Sequence, residues 1–520
     1  MQMLNTPFKT QYQMKKKIIF TTIGLLAICF SCNDNILDKT NPNEFTPDTF
    51  YKTDAQIVGA VNAVYSSLQS LELVCREYFF VHDLRSDDMG SGGGQLETPR
   101  AQLLNGTHDP ANSLLFSVWS GWYRLIHQAN QVIENVSLAE DPVTEEMKTR
   151  VIGEAKFLRG WAYFDLVVLF GGVPLMDTYA KGPGEDKPRA SVDEVYALII
   201  ADLEDAINSL WLKEEYDAAN IGRANKRAAQ AMLARVHMQR GDYALAKPLL
   251  VDIVNSGEFD GWKQIPYIEN FREEMEFNDE SLFEVAFSYD FGGSSWDGTG
   301  QGTQTETTFR GQEYGPNAWR NVIPSVALLN EYEKTSKGDP KDDPRYQQSF
   351  YFIGDTYFNN TRTLTDMQGN DPKISWKKYQ RIYKAADEEQ RSGINMRVIR
   401  YPEVLLNLAE CENALGNDAD AIDLLNEVRS REGVEMPPYP TANYPVNSPA
   451  EVFRAVMHER RVELAGEQIR DKDIVRWRNL GKLGAEVIPY YEPKHALAPI
   501  PQREIDSNSE ISQADQNSGF

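Results

Sequence analysis

The stretch VLLNLAECENALGNDADAIDLLNEV, residues 404–428, contains two apolar stripes separated by a break. Apolar side chains recur every three or four residues over Val404–Leu415, and the spacing resumes over Ala421–Val428 after Gly416–Asp418. Such spacing places the apolar residues on one face of each of two helices joined by a tight turn. The stretch therefore predicts a helix pair, with the thiol of Cys411 on a buried face.

Three further helix pairs show the same pattern in a looser form. Ser191-Val-Asp-Glu194 supplies a capping box for one of these helices, and the turns at Gly241 and Gly416 resemble that of tetratricopeptide repeats. Four pairs that each expose an apolar stripe must stack to bury it. We predict a mainly α fold on a tetratricopeptide-like scaffold of eight helices. The three further pairs of stripes are 57–68 with 122–133, 157–168 with 199–210, and 229–236 with 246–253.

Long insertions interrupt the scaffold and carry the remaining residues. The short alternating runs Leu282–Tyr289 and Phe350–Phe358 predict a little β-structure within them. Insertions of this length on a rigid scaffold usually bind a ligand or are disordered, and their aromatic content argues against disorder. We expect one α domain over 47–520, with an N-terminal part at 47–255, ligand-binding insertions at about 69–118 and 256–396, and a C-terminal part at 397–520.

The N-terminal segment has the layout of an export signal. Lys15–Lys17 precede the apolar run Ile18–Phe30. As a helix, that run would span roughly 20 Å, which is short of the ~30 Å hydrocarbon core of a bilayer. We therefore predict a signal peptide over 1–31, with Met14 as a second possible start because it opens directly onto the lysines.

Cys32 is the predicted site of lipid attachment. It follows the small residue Ser31, and the segment resembles the lipobox of bacterial lipoproteins, although Cys29 and Phe30 depart from the usual pattern. Cys29 would leave with the signal, which argues against a redox pair with Cys32. An acylated Cys32 would anchor the protein to a membrane through a flexible tether at 32–46.

Composition excludes several classes of function. The formal charge of −24 argues against nucleic acid and anionic membrane surfaces as partners. The chain has no zinc-protease, phosphate-loop or nucleophile-elbow motif, and its six histidines show no metal spacing. Cys75 and Cys411 could form a disulfide, but two buried, unpaired thiols are the preferred interpretation. We therefore predict no enzyme, no cofactor and no metal site.

Several phrases of the sequence are specific when taken together and in order. They are EAKFLRGWAYF (154–164), FGGVPL (170–175), RYPEV (400–404), HERRVEL (458–464) and RDKDIVRW (470–477). Six charged residues within them are predicted to form a buried or half-buried ion network that fixes a C-terminal helix: Arg460, Arg461, Glu463, Asp471, Asp473 and Arg476. As a set, these phrases resemble the SusD/RagB family of outer-membrane nutrient-binding lipoproteins.

The resemblance implies a function that these phrases do not carry by themselves. Members of the family bind oligosaccharides, or peptides in the RagB branch. They act without catalysis as hinged lids over a SusC-like TonB-dependent barrel in the outer membrane, on the outside of the cell. Two alternatives remain open: a peptide-binding lid, and a scaffold that contacts only other proteins.

The insertions contain residues suited to binding sugar. Sugar rings present C–H faces that pack on aromatic rings, beside hydroxyls that bond to amides and charged groups. The aromatic residues could instead pack beneath their own loops. The candidate ligand-binding residues are Tyr289, Phe291, Trp296, Tyr314, Asn317, Trp319 and Arg320 from the second insertion, and Asp83 and Arg85 from the first.

Overall fold

The computed structural model describes residues 50–182, 184–290, 306–333, 343–484, 488 and 491–520. Within it, Lys52–Phe520 pack as one compact unit. The described residues are mainly helical, which confirms the predicted fold class. Their helices are α1 Asp54–Leu68, α2 Glu77–Asp83, α3 Thr98–Asn105, α4 Ser113–Ser137, α5 Glu145–Phe170, α6 Val192–Ser209, α7 Lys226–Arg240, α8 Tyr243–Val254, α9 Arg310–Tyr314, α10 Val326–Glu331, α11 Pro344–Ser349, α12 Tyr401–Ala414, α13 Asp418–Arg429, α14 Pro449–Glu463, α15 Arg470–Asn479 and α16 Gln502–Ser507.

The eight predicted scaffold helices are all present and pack as four pairs. Helix α1 packs on α4, α5 on α6, α7 on α8, and α12 on α13. Contacts of α4 with α5, α6 with α7, and α8 with α12 join the pairs into one continuous array. The apolar stripes face the interior, as the burial of Ile57, Trp122, Trp161, Met232 and Cys411 shows.

Local sequence signals set the ends of these helices. The predicted capping box opens α6: the Glu194 amide donates to Ser191 Oγ at 3.2 Å, and Glu194 Oε2 accepts from the Ser191 amide at 2.8 Å. Gly241 ends α7 with φ +82°, a left-handed conformation that favours glycine. The chain can therefore reverse into α8 within two residues.

The described strands are short and pair as antiparallel two-stranded sheets, β1 with β3, β2 with β8, β4 with β7, and β5 with β6. Both predicted runs contain strands, but 350–358 divides into two of them. The Phe352 amide donates to Asp355 Oδ2, and Gly354 has φ +100°, so the chain turns between β4 and β5. The strands are β1 Met89–Ser91, β2 Ser281–Val285, β3 Val322–Pro324, β4 Phe350–Phe352, β5 Thr356–Tyr357, β6 Arg362–Thr363, β7 Ile374–Trp376 and β8 Met396–Arg400.

The predicted ion network is present and buried. Arg460 Nε lies 2.9 Å from Asp473 Oδ2, and Arg476 Nη2 lies 2.6 Å from Glu410 Oε2, so α14, α15 and α12 are joined. Glu463 extends the network to Arg345 of the second insertion, and it also pairs with Arg400 and Arg431 of the C-terminal part. This confirms the prediction that these charges fix a C-terminal helix on the scaffold.

The sequence predicts that the two remaining thiols are buried. Cys75 and Cys411 are both buried, and neither is part of a disulfide, which confirms the preferred interpretation over a bridge between them. Within the described part of the chain, no helix is both long enough and apolar enough to cross a membrane.

Candidate functional site

The structure divides the predicted ligand-binding residues into three groups. Phe291 and Trp296, like the predicted lipidation site Cys32, lie outside the described residues. Asp83, Arg85, Tyr314 and Arg320 are buried. Tyr289, Asn317 and Trp319 are half-buried at the surface of the second insertion.

Tyr314 and Asp83 bond to each other in the interior. The Tyr314 hydroxyl donates to Asp83 Oδ2 at 2.8 Å, and Gln468 Nε2 donates to the same oxygen at 2.9 Å. Burial raises the pKa of Asp83 to about 6, although Arg310 and these donors oppose the shift. The pair ties α2 to α9 and to the segment after α14, so we do not retain either residue as a ligand contact.

Arg320 is completely buried and holds a loop together. Its Nε donates to the Ser375 hydroxyl at 2.8 Å. Its two terminal nitrogens donate to four backbone carbonyl groups between Gln368 and Ile374. All three nitrogens of the guanidinium are therefore used within the protein, and we do not retain Arg320 as a ligand contact either.

Arg85 also faces the protein. Its side chain is buried, and Nη2 lies 3.5 Å from the carbonyl oxygen of His495, near the C-terminal segment. Arg85 and Asp83 are close in sequence and are both predicted ligand contacts, but in the structure their side chains make different contacts. The first insertion therefore contributes no surface residue to the candidate site.

Tyr289 lies at the centre of a polar cluster. Its hydroxyl donates to Glu389 Oε2 at 2.9 Å and accepts a hydrogen bond from Arg391 Nη2 at 2.8 Å. The guanidinium carbons of Arg381 and Arg391 lie 3.8 and 4.3 Å from the ring centroid. Partial burial opposes ionisation of Glu389, but hydrogen bonds from Arg391 and Tyr289 lower its pKa.

Asn317 connects this cluster to the loop that carries Trp319. Asn317 Nδ2 donates to the Ala386 carbonyl at 3.3 Å, and Arg362 Nη1 from β6 donates to the same oxygen at 3.3 Å. The loop after α9, the 381–391 loop and the β5–β6 hairpin are thus joined at one carbonyl group. We call the outer side of these segments, with Tyr289, the Tyr289 surface.

The Tyr289 surface offers charged hydrogen-bonding groups in fixed positions. Guanidinium and carboxylate groups can bind pairs of neighbouring hydroxyls, and the planar guanidinium can also pack on flat faces. Because the two guanidinium groups cover part of the Tyr289 ring, this tyrosine is not the open aromatic platform that the sequence suggested. Trp319 is half-buried on the loop that Asn317 joins to this cluster.

Sequence reasoning missed Arg381, Glu389 and Arg391. The aromatic residues that indicate sugar binding lie around 286–320, whereas these three residues follow some 60 to 100 positions later in the same insertion. The dense charge of DEEQR, residues 387–391, was the available signal. Only the return of the chain to β8 brings this segment beside Tyr289.

In the described residues, no group of three or more His, Cys, Asp or Glu side chains is arranged to hold a metal ion. The adjacent pair Asp87 and Asp88 instead neutralises two arginines. Arg470 Nε lies 2.7 Å from Asp87 Oδ1, and Arg461 Nε lies 2.8 Å from Asp88 Oδ1. These carboxylates therefore hold the first insertion against α14 and α15.

Comparison with known proteins extends over nearly the whole chain. A SusD-like protein of Formosa agariphila is 28% identical over 519 residues, covering 95% of this chain and 98% of the relative. The structure of a SusD superfamily protein from Bacteroides vulgatus superposes with a TM-score of 0.76 at 22% identity, covering 91% and 100% of the two chains. A laminarin-binding SusD-like protein superposes with a TM-score of 0.73 at 26% identity, covering 90% and 100%.

Two family models match successive parts of the sequence. The model described as "Starch-binding associating with outer membrane" matches residues 90–238, and the model described as "SusD family" matches residues 279–486. Together they include the second and fourth helix pairs, both of the loops at Tyr289 and the ion network. The chain belongs to the SusD family.

Proposed function

We propose that this protein is a lipoprotein of the outer membrane that binds oligosaccharides or polysaccharide at the cell surface. It delivers them, as a hinged lid, to a SusC-like TonB-dependent transporter. Membership of the SusD family supports this role, as do the name of the matched starch-binding model and the laminarin-binding relative. The protein binds and transfers its ligand and does not cleave it.

The arrangement at Tyr289 is the observation that carries the proposal. Arg381, Arg391 and Glu389 are fixed around one aromatic ring and remain partly exposed. A sugar chain lying on this surface can place hydroxyl pairs on the charged groups and its C–H faces on Trp319. Trp296, which the sequence places in the same insertion, is proposed as a second aromatic contact.

Affinity at such a surface should be modest. A tryptophan face that covers ~100 Å² contributes at most ~2.5 kcal/mol at 25 cal/mol per Å². Two faces, reduced by the cost of association, leave a Kd between millimolar and micromolar. Weak binding at one site is compatible with capture from a polymer that presents many repeats.

The test is affinity electrophoresis of the purified protein through gels that contain different polysaccharides, beginning with laminarin. Tyr289→Ala, Arg391→Ala, Trp319→Ala and Trp296→Ala are run beside the wild type. Tyr179→Ala is the matched control, because Tyr179 is a half-buried tyrosine in the connection between α5 and α6 that also packs with a cation, Lys181. We expect one polysaccharide to retard the wild type and Tyr179→Ala, and to retard the four surface variants less.

Other outcomes would change the proposal in defined ways. Retardation that all four surface variants retain would place the ligand elsewhere on the protein. The absence of retardation across the panel, with binding of peptides in calorimetry, would favour a peptide-binding lid of the RagB type. Binding of neither class would leave protein contact alone as the function.

A further inference from the structure

A buried carboxyl group lies beneath the Tyr289 surface. Glu388 is only 7% exposed, although it belongs to the charged 381–391 loop. Its Oε1 accepts a hydrogen bond from the Ile382 amide at 2.9 Å, whereas its Oε2 is buried and accepts none. In the described part of the chain, no cationic group lies within ion-pair distance of this carboxyl group, unlike the carboxylates of the C-terminal network.

Two glycines make room for this side chain. A Cβ atom at Gly311 of α9 would clash directly with Glu388 Oε2. A Cβ atom at Gly315, the residue after α9, would lie 2.7 Å from Glu388 Cγ and 2.8 Å from Gln380 Oε1. The side chains of Glu388 and Gln380 therefore meet over Gly315, and any larger residue at either glycine would displace the Glu388 side chain.

Gln380 has an unsatisfied acceptor at the same place. It is 1% exposed, its Nε2 donates to the Lys378 carbonyl, and its Oε1 is buried without a donor. Two buried acceptor oxygens thus lie beside these two glycines, and neither accepts a hydrogen bond from the described residues. An ionised carboxylate would be costly there, but one proton on Glu388 removes the charge and supplies the missing donor.

We propose that Glu388 is a proton-controlled latch. In its neutral form it docks the 381–391 loop on α9, and its ionisation loosens that loop and with it the Tyr289 surface. Only the effect on ligand binding rests on the proposed function, because docking of the loop itself needs no ligand.

The groups around Glu388 determine the direction of the effect. Burial raises its pKa to about 7, while the amides of Ile382 and Arg381 and the charge of Arg381 oppose the shift. The negative charge of Glu273, from the 3₁₀ turn at 273–275, raises the pKa of Glu388 further. Tyr351 faces it from β4, and the two glycines face it from α9 and from the residue after α9.

The sign of the pH dependence follows from this shift. The docked loop binds the proton more tightly than an open loop, in which the carboxyl would have its ordinary pKa of about 4.5. Docking is therefore at full strength below about pH 4.5, weakens as the pH rises, and reaches its minimum above about pH 7. A ligand held on the Tyr289 surface should accordingly bind more tightly in mild acid.

The test is hydrogen exchange of the backbone amides of residues 381–391 in the purified protein, at pH 5.5 and pH 8.0, after correction for intrinsic exchange rates. We expect protection of this loop to fall roughly 10- to 30-fold between the two pH values. Glu388→Gln has the shape of the neutral acid and keeps an NH₂ donor for Gln380. It should give a loop that is equally protected at both pH values.

Asp387→Asn is the matched control, because it removes a charge from the exposed neighbouring residue. It should keep the pH dependence of the wild type. A wild-type loop with equal protection at both pH values, or a Glu388→Gln loop that retains the pH dependence, would overturn the proposal. Because no ligand is used, failure of glycan binding cannot be mistaken for failure of the latch.

Discussion

Arg400 and Glu467 form a bidentate ion pair in which both side chains are buried. Nε of Arg400 lies 2.7 Å from Oε2 of Glu467, and Nη2 lies 2.8 Å from Oε1. Lys378 Nζ lies 2.8 Å from the same Oε1. One carboxylate thus joins β8, the segment after β7 and the segment after α14, so the second insertion is fixed to the C-terminal part of the chain.

Glu467→Gln should strongly destabilise the protein. The substitution leaves the charges of Arg400 and Lys378 buried and less compensated, which typically costs about 3 to 5 kcal/mol. Urea unfolding monitored by tryptophan fluorescence measures the change in the free energy of unfolding. Glu145→Gln is the control, because Glu145 pairs with Lys148 on the exposed surface of α5 and should hardly change the midpoint. Equal midpoints for both variants would contradict the assigned role of Glu467.

His458 should make stability depend on pH in the alkaline range. Burial disfavours its charged form, but the hydrogen bond to Glu331 at 2.8 Å and the carboxylate of Glu333 at 3.6 Å outweigh this and raise the pKa of His458 to about 9. Since the folded state binds the proton more tightly, this contribution is complete below about pH 6.5 and is lost as the pH rises through 9. The shift corresponds to stability on the order of 3 kcal/mol.

Thermal unfolding midpoints between pH 6 and pH 9.5 measure this effect. His458→Gln should lower the midpoint at pH 6 and reduce the further fall towards pH 9. His127→Gln, a half-buried histidine on α4, is the control and should leave the wild-type curve unchanged in shape. A His458→Gln curve parallel to that of the wild type would exclude His458 as the titrating group.

Arg320 should be required for the loop that follows β6, not for ligand contact. Arg320→Ala removes the donors for the carbonyls of Gln368, Asn370 and Ile374, so the loop loses the hydrogen bonds that hold it. Arg320→Lys cannot replace the planar fork, because one ammonium group reaches fewer of these oxygens. We expect both variants to be cleaved by a protease within residues 364–374 faster than the wild type. Unchanged cleavage together with loss of glycan binding would instead indicate that Arg320 contacts the ligand.

The two thiols of the folded domain should be unreactive. Cys75 and Cys411 are fully buried, and burial raises the pKa of Cys411 well above its usual range. A thiol reagent at pH 8 should therefore label neither residue in the native protein and both in urea. Mass spectrometry of the labelled peptides identifies the sites, and labelling of the native protein at Cys411 would show that α12 opens locally.

The scaffold was predictable because its signal is local and repeated. Each stripe, such as Val404–Leu415, is recognised from the helix period alone, and its apolar face must be covered by a neighbouring helix. Every predicted stripe occurs in a helix of the structure. The ion network was also predictable, because Arg460, Asp473 and Arg476 alternate with apolar residues that had to be buried. Charges held among buried apolar positions must pair with each other.

The ligand-binding residues were not predictable in the same way. Tyr314 and Arg320 have the chemistry of sugar contacts, but both bond within the protein. Tyr314 bonds to Asp83, and Arg320 bonds to carbonyl groups at 368–374. Arg381, Glu389 and Arg391 carry no motif and are distant from Tyr289 in sequence. Whether an aromatic or charged residue faces solvent depends on how the insertion folds back, and composition does not encode that.

The sequence alone determined the helix array, its order and the buried faces, since these follow from periodicity and from the need to cover apolar surface. Tertiary structure alone decided which insertion residues meet. It placed Glu388 over Gly311 and Gly315, and it surrounded Tyr289 with two guanidinium groups. The physical reason is that helix formation is governed by neighbours three or four residues apart, whereas these contacts join segments dozens of residues apart through packing.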